Sequence, residues 1–165
     1  MIKGIYRLLD AKMLLLLIIM LFASPTLCGI NTYTICLVYS HYLTVYLNNV
    51  YLLMLYQYSS RINALSSYMV IRLKENTFYK KSYLSFMMIG FLYTIIIYIS
   101  YYFFFGAIPK NTLGITLFFM IVNIIMNGIE SSIIFLQIGQ KKNFIYLVLP
   151  ILINFAFHVI FTSLF

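Results

Sequence analysis

Five long runs of Leu, Ile, Phe, Tyr and Met, separated by short polar gaps, leave this chain few ways to fold. A helix rises 1.5 Å per residue, so about 20 apolar residues are needed to cross the hydrocarbon core of a bilayer. Residues 11–28, 33–57, 83–105, 113–138 and 144–165 come up to that length. Composition agrees, with 64% of residues hydrophobic and 8% charged; a soluble domain carries roughly 25% charged residues. The sequence therefore predicts an all-α fold, a polytopic transmembrane bundle of five spans, forming a single integral membrane domain over residues 1–165.

Charge placement gives the orientation. Lys3, Arg7 and Lys12 precede the first run, Arg61, Arg72, Lys74, Lys80 and Lys81 fill the second gap, and Lys141 and Lys142 the fourth. Only Lys110 lies on the opposite side. Cations near span ends favour the cytoplasmic face, so the amino terminus is expected inside and the carboxyl terminus outside. Residues 29–32 and 106–112 then become outer turns, the second rich in turn chemistry at Gly106, Pro109, Asn111 and Gly114. The first run, with three cations ahead of a short apolar core, has the outline of a signal peptide. SPTLCG offers no clear A-x-A cleavage pattern, and the run is read as a retained span.

The formal charge of +8 does not point to nucleic acid, because the cations mark the ends of apolar runs and form no soluble basic face. Cys28 and Cys36 are too few for a disulfide framework. The expected setting is the plasma membrane, with the chain crossing several times.

The gap at 58–82 is the unusual piece. Ile62, Leu65, Met69 and Leu73 recur at steps of three and four, an apolar helical stripe, flanked by Arg61 and Arg72 with Lys74 towards the other face. The helix is expected to end near Asn76 and Thr77, with Lys80 and Lys81 marking the start of the next span. Such a helix lies along the membrane surface with its cations near anionic lipid. It reads either as a loop that fixes topology or as a docking element that moves two spans together.

The arrangement of Tyr58, Ser59, Ser60, Arg61, Arg72, Lys80 and Lys81 resembles the first cytoplasmic loop of ABC-2-type exporter permeases. It is most similar to small permease-like proteins of Gram-positive bacteria associated with peptide antibiotics and bacteriocin self-protection. Short outer loops and the Gln-x-Gly-x-Lys-Lys stretch after the fourth run are also similar. The resemblance implies that Arg61, Ile62, Leu65, Met69 and Arg72 couple the chain to a separate ATP-binding subunit. The chain has no G-x-x-x-x-G-K-[ST] pattern and so cannot itself hydrolyse ATP by that route. It departs from the family in its span count: those permeases usually have six spans and both termini inside. Either the chain is a shortened relative, or its fifth segment is bent or re-entrant around Pro150.

Ionisable groups within hydrocarbon cost about 2.5–3.5 kcal/mol on insertion scales, so each needs a reason. Asn123, Asn127, Glu130 and Gln137 lie on one face of the fourth span, with Ser131 beside it. Counted from the cytoplasmic ends, Glu130 lies roughly 12 Å deep, Asn48 and Asn49 roughly 12–14 Å, and Asn154 roughly 15 Å. Asn48, Asn49, Glu130 and Asn154 are expected to share one level of the bundle, in an intramembrane polar site that also takes in Asn127 and His158. His158 and His41 fall deeper. Glu130 reads either as a structural hydrogen-bonded carboxyl or as part of a substrate or gating site.

No His-Glu-x-x-His spacing or paired glutamates support a metallopeptidase, and Cys28, Cys36 and His41 lack an acidic orienter. The expectation is no enzyme, no cofactor and no bound metal. Two functions follow: a membrane subunit of an ABC-2-like exporter for a peptide or other hydrophobic substrate, or a non-transporting immunity or accessory protein that binds a partner in the bilayer. In both the chain is expected in a homo- or hetero-oligomer.

Overall fold

A computed structural model describes residues 8–28 and 46–164. Among them every regular element is a helix, six in all: α1 (Ala11–Cys28), α2 (Asn48–Ala64), α3 (Ser66–Leu73), α4 (Glu75–Phe105), α5 (Leu113–Phe135) and α6 (Ile145–Leu164). Two of them, α4 and α5, are long and apolar enough to cross a membrane. Helices α1 and α6 carry shorter apolar stretches among the described residues, Ala11–Ala23 and Ile145–Phe157. The outer turn expected at 29–32, the first part of the span expected at 33–57, Lys3, Arg7, Cys36 and His41 lie outside the described residues.

Helix ends follow local chemistry more than hydropathy. Asp10 caps α1, its Oδ1 accepting the backbone N–H of Lys12 at 2.9 Å and of Met13 at 3.4 Å, donors that a helix start otherwise leaves open. Helix α4 closes at Gly106, whose φ of 79° suits a residue without Cβ, and whose N–H donates to the Tyr102 carbonyl. Helix α6 begins where Asn143 Oδ1 accepts the N–H of Ile145. Pro150 lies inside α6 without ending it.

Within the gap expected over 58–82 the backbone is almost wholly helical. Helix α2 continues to Ala64, the chain breaks at Leu65, and after α3 it breaks again at Lys74, with φ 61°. Helix α4 then runs 31 residues from Glu75, about 46 Å, well beyond the roughly 30 Å of a hydrocarbon core. Hydropathy reports where lipid begins, whereas a helix with no Gly or Pro between 75 and 89 has nothing to stop it there. Asn76 and Thr77, expected to end the hinge helix, are in the first turn of α4.

Helix α5 is the hub. It packs along α4 and also against α2 and α6, while α1 lies against α2 and α4. The core is aromatic and aliphatic: Tyr51, Leu52, Leu55, Tyr58 and Ile62 of α2, Phe78 and Phe86 of α4 and Ile134 of α5 are all shut from solvent. Around α5 the usual pattern is inverted. Thr116, Asn127, Glu130 and Ser131 face inward, and Ile115, Phe118, Ile121, Ile125 and Ile129 face outward.

Candidate functional site

The inward polar face of α5 meets α4 at Gly90. A Cβ built there would stand 2.9 Å from Tyr51 Oη, 3.1 Å from Ser131 Oγ and 3.6 Å from the Asn127 carbonyl oxygen. The glycine therefore lets three helices close to hydrogen-bonding distance, as small residues do in membrane bundles. Across this junction the Tyr51 and Ser131 hydroxyls lie 2.9 Å apart. Asn127 Nδ2 donates to Thr94 Oγ1 at 2.8 Å, and the Thr94 hydroxyl donates to the Gly90 carbonyl at 3.1 Å. Tyr93 donates to Asn48 Oδ1 at 2.7 Å. The Tyr51 and Tyr93 rings stack with centroids 4.1 Å apart and 2° between planes.

Of the polar residues expected at one level, the structure joins Asn48 and Asn127 to this network. Glu130 is 1% exposed and lies close enough to Tyr51 and Tyr93 to interact electrostatically with both. Asn49 is half-buried on α2, and its Oδ1 has no partner among the described residues. Asn154 is buried on α6, which packs on α5 and α2. Asn123 belongs to the same face but one turn outward, donating to Tyr98 Oη at 3.2 Å. The side chain of His158 lies outside the described residues. Tyr51, Gly90, Tyr93 and Thr94, half of the cluster, carry no signal in the sequence that separates them from ordinary span residues. Among the described residues no group of three or more His, Cys, Asp or Glu side chains could hold a metal ion.

The second candidate region is the basic end of the bundle. Arg61 turns towards the amino-terminal segment, paired with Asp10 Oδ2 and donating to the Leu8 carbonyl at 3.1 Å. The Lys12 and Met13 backbone N–H groups, ahead of the Arg61 charge, hold the Asp10 carboxyl below its ordinary value of 3.8. Asn63 clamps the loop between α5 and α6: its Nδ2 donates to the Gln140 carbonyl at 2.7 Å and its Oδ1 accepts the Gly139 N–H at 2.9 Å. Gln137, fully buried, donates to the Lys141 carbonyl and accepts the Asn143 N–H.

This divides the proposed coupling set. Ile62 is in the core, Met69 and Leu73 pack against it from α3, and Arg61 is engaged with Asp10. Leu65 and Arg72 are exposed. The outward face of α3 is Tyr68, Ile71 and Arg72, the first two 70% and 84% exposed. Tyr68 and Ile71 lie off the stripe of Ile62, Leu65, Met69 and Leu73, whose members Met69 and Leu73 pack inward; periodicity marked the buried side of α3 and so passed over its outward face.

A shallow groove of about 720 Å³ runs between α4 and α5 on the outer side, with Met87, Ile125, Gly128 and Ile129 in its wall and the Tyr83 and Ser132 hydroxyls at 3.3 Å. No family model, no curated protein and no solved structure matches this chain. Its functional reading rests on these sites.

Proposed function

We propose that this chain is a multi-pass plasma-membrane protein, the membrane subunit of an ABC-2-like exporter for a peptide or other hydrophobic substrate, driven by a separate ATPase. The observation that carries the reading is α3. It is a short helix held between α2 and α4 by half-buried Met69, Val70 and Leu73, with Tyr68, Ile71 and Arg72 turned outward. An aromatic, an aliphatic and an arginine on one exposed face suit a protein partner, and a push on α3 is transmitted to both flanking helices.

The membrane setting is supported by the inverted pattern of α5, which suits hydrocarbon outside and hydrogen bonds within. Five spans with the amino terminus inside remain the reading of the cation distribution. A second reading, a non-transporting immunity or accessory protein, is favoured by the open groove between α4 and α5, which faces where lipid or a partner span would lie.

The test is purification of the tagged chain from its host in mild detergent, with mass spectrometry of what accompanies it. An ATPase in fixed ratio, released by Ile71→Glu or Arg72→Glu, supports the exporter. Arg61→Glu is the wrong probe, since it also breaks the contact with Asp10. A chain that emerges without an ATPase, or an ATPase indifferent to both substitutions, sinks the coupling role of α3. Cysteine accessibility at Lys81, Lys110 and Lys142 positions checks the topology: 81 and 142 should label from inside and 110 from outside.

A further inference from the structure

Two buried oxygens on one face of α5, Asn127 Oδ1 and Glu130 Oε2, have no hydrogen-bond partner among the described residues. Their residues are 3% and 1% exposed. Residues three apart on a helix are neighbours, with Cβ atoms about 5–6 Å apart. With Glu130 ionised both oxygens are acceptors only, left together in a dry interface where each unmade hydrogen bond is costly.

Among the described residues no donor reaches either oxygen. Asn127 Nδ2 is on Thr94, the Thr94 hydroxyl on the Gly90 carbonyl and the Tyr93 hydroxyl on Asn48, while the one bond between the Tyr51 and Ser131 hydroxyls leaves over a proton that is on neither oxygen. Among the described residues the titratable groups that face Glu130 are Tyr51 from α2 and Tyr93 from α4. Neither brings a positive charge. One proton answers both oxygens, because a protonated carboxyl gains a single O–H donor and the adjacent unmet acceptor is Asn127 Oδ1.

We infer that Glu130 stands in the bundle as a neutral carboxylic acid whose proton is donated to Asn127 Oδ1, making the junction of α2, α4 and α5 a proton-binding site. Binding joins H⁺ to the carboxylate with no other bond broken. Release leaves an anion and two unmet acceptors, which only water can then satisfy. Loss of the proton is thereby coupled to opening of the junction at Gly90, where three helices come close together. The inference rests on burial and hydrogen bonding, and stands whether or not α3 docks an ATPase.

The test is infrared spectroscopy of the purified full chain in lipid at neutral pH. The sequence has only three Asp and Glu residues, so the difference between the parent and Glu130→Gln isolates one carboxyl. The expected difference is a neutral-carboxyl C=O band lost in Glu130→Gln, and moved to higher frequency in Asn127→Leu because its hydrogen bond is gone. Glu130→Gln should melt within a few degrees of the parent, since its amide can donate to Asn127 in the same shape. Carboxylate bands in the difference at neutral pH would overturn the proposal, and so would a neutral band indifferent to Asn127→Leu. A carboxylate signal together with melting raised by added sodium would replace the proton with a metal cation.

Discussion

The polar groups at the basic end of the bundle and those at the Gly90 junction obey different rules. At the basic end, side chains close on backbone: Asp10 on two N–H groups, Arg61 on a carbonyl, Asn63 on both sides of the Gly139–Gln140 turn, and Gln137 across the same loop. At the junction, side chains reach side chains across helices, and oxygens are left over on Asn127 and Glu130. The first kind ties loops down where water competes for every bond. The second kind depends on helices approaching to within a few tenths of an ångström, so small changes of shape there should matter more than loss of any one hydrogen bond.

The largest effect should therefore come from Gly90. Gly90→Leu sets a branched side chain against the Tyr51 and Ser131 hydroxyls and the α5 backbone, where both side chains are fully buried and have little room to yield. Overpacking a tight site costs typically 1–3 kcal/mol and occasionally more, and here the change is four carbons. Loss of a monodisperse folded protein in detergent is the expected readout. Gly90→Ala sharpens the point, because its Cβ meets first the Tyr51 hydroxyl. Removing that oxygen with Tyr51→Phe should rescue part of the damage. The double variant should melt above Gly90→Ala alone, although Tyr51→Phe by itself loses a cross-helix bond worth about 0.6 kcal/mol. Simple additivity of the two would mean that the close approach is not what limits this junction.

Next in size is Asn63→Ala, which removes both clamps on the Gly139–Gln140 turn. Two partly exposed hydrogen bonds amount to about 1–2 kcal/mol, much of it local to the loop. Gly139 has φ 86°, and Tyr79 Oη lies 2.6 Å from where its Cβ would stand, so the loop has one well-defined seat. Faster trypsin cleavage after Lys141 or Lys142, with little change in global melting, is the outcome expected. Unchanged cleavage would mean that Gln137 holds the loop alone.

The same contrast marks how far the sequence could be read. All-helical structure and the polar face of α5 were legible, because Asn123, Asn127 and Glu130 interrupt an apolar run at helical spacing. Their partners were not. Tyr51, Tyr93 and Thr94 suit lipid-facing or interfacial positions equally well, and which of them meets α5 depends on helix register, which periodicity within one helix does not fix. The breaks within the hinge leave no sequence signal for a different reason. They fall at Leu65 and Lys74, with no Gly or Pro to announce them, and Lys74 takes a backbone conformation that non-glycine residues adopt only at a cost of order 1–3 kcal/mol. Lys74→Gly should relieve that strain and raise the melting temperature slightly. A fall instead would show that the lysine side chain holds the turn. The contact between Arg61 and Asp10 spans 51 residues and leaves no local trace at all.

That contact also gives the smallest and most conditional effect, since an exposed ion pair is weakened by water and salt. Asp10 titrates below its ordinary 3.8, chiefly through the Lys12 and Met13 N–H groups and secondarily through Arg61. A carboxyl whose folded-state value is depressed stabilises the fold above the unfolded value, and that contribution disappears as pH falls through the folded one. Acidification below about 3.8 should thus loosen the start of α1 from α2. Asp10→Asn keeps an acceptor at the helix start but removes the charge, so its melting temperature should be slightly lower at neutral pH and fall less steeply in acid. Salt discriminates the two roles of the side chain. Added salt should narrow the difference between parent and Asp10→Asn if the pairing with Arg61 matters, and leave it unchanged if the carboxylate acts only through the two backbone N–H groups that cap α1.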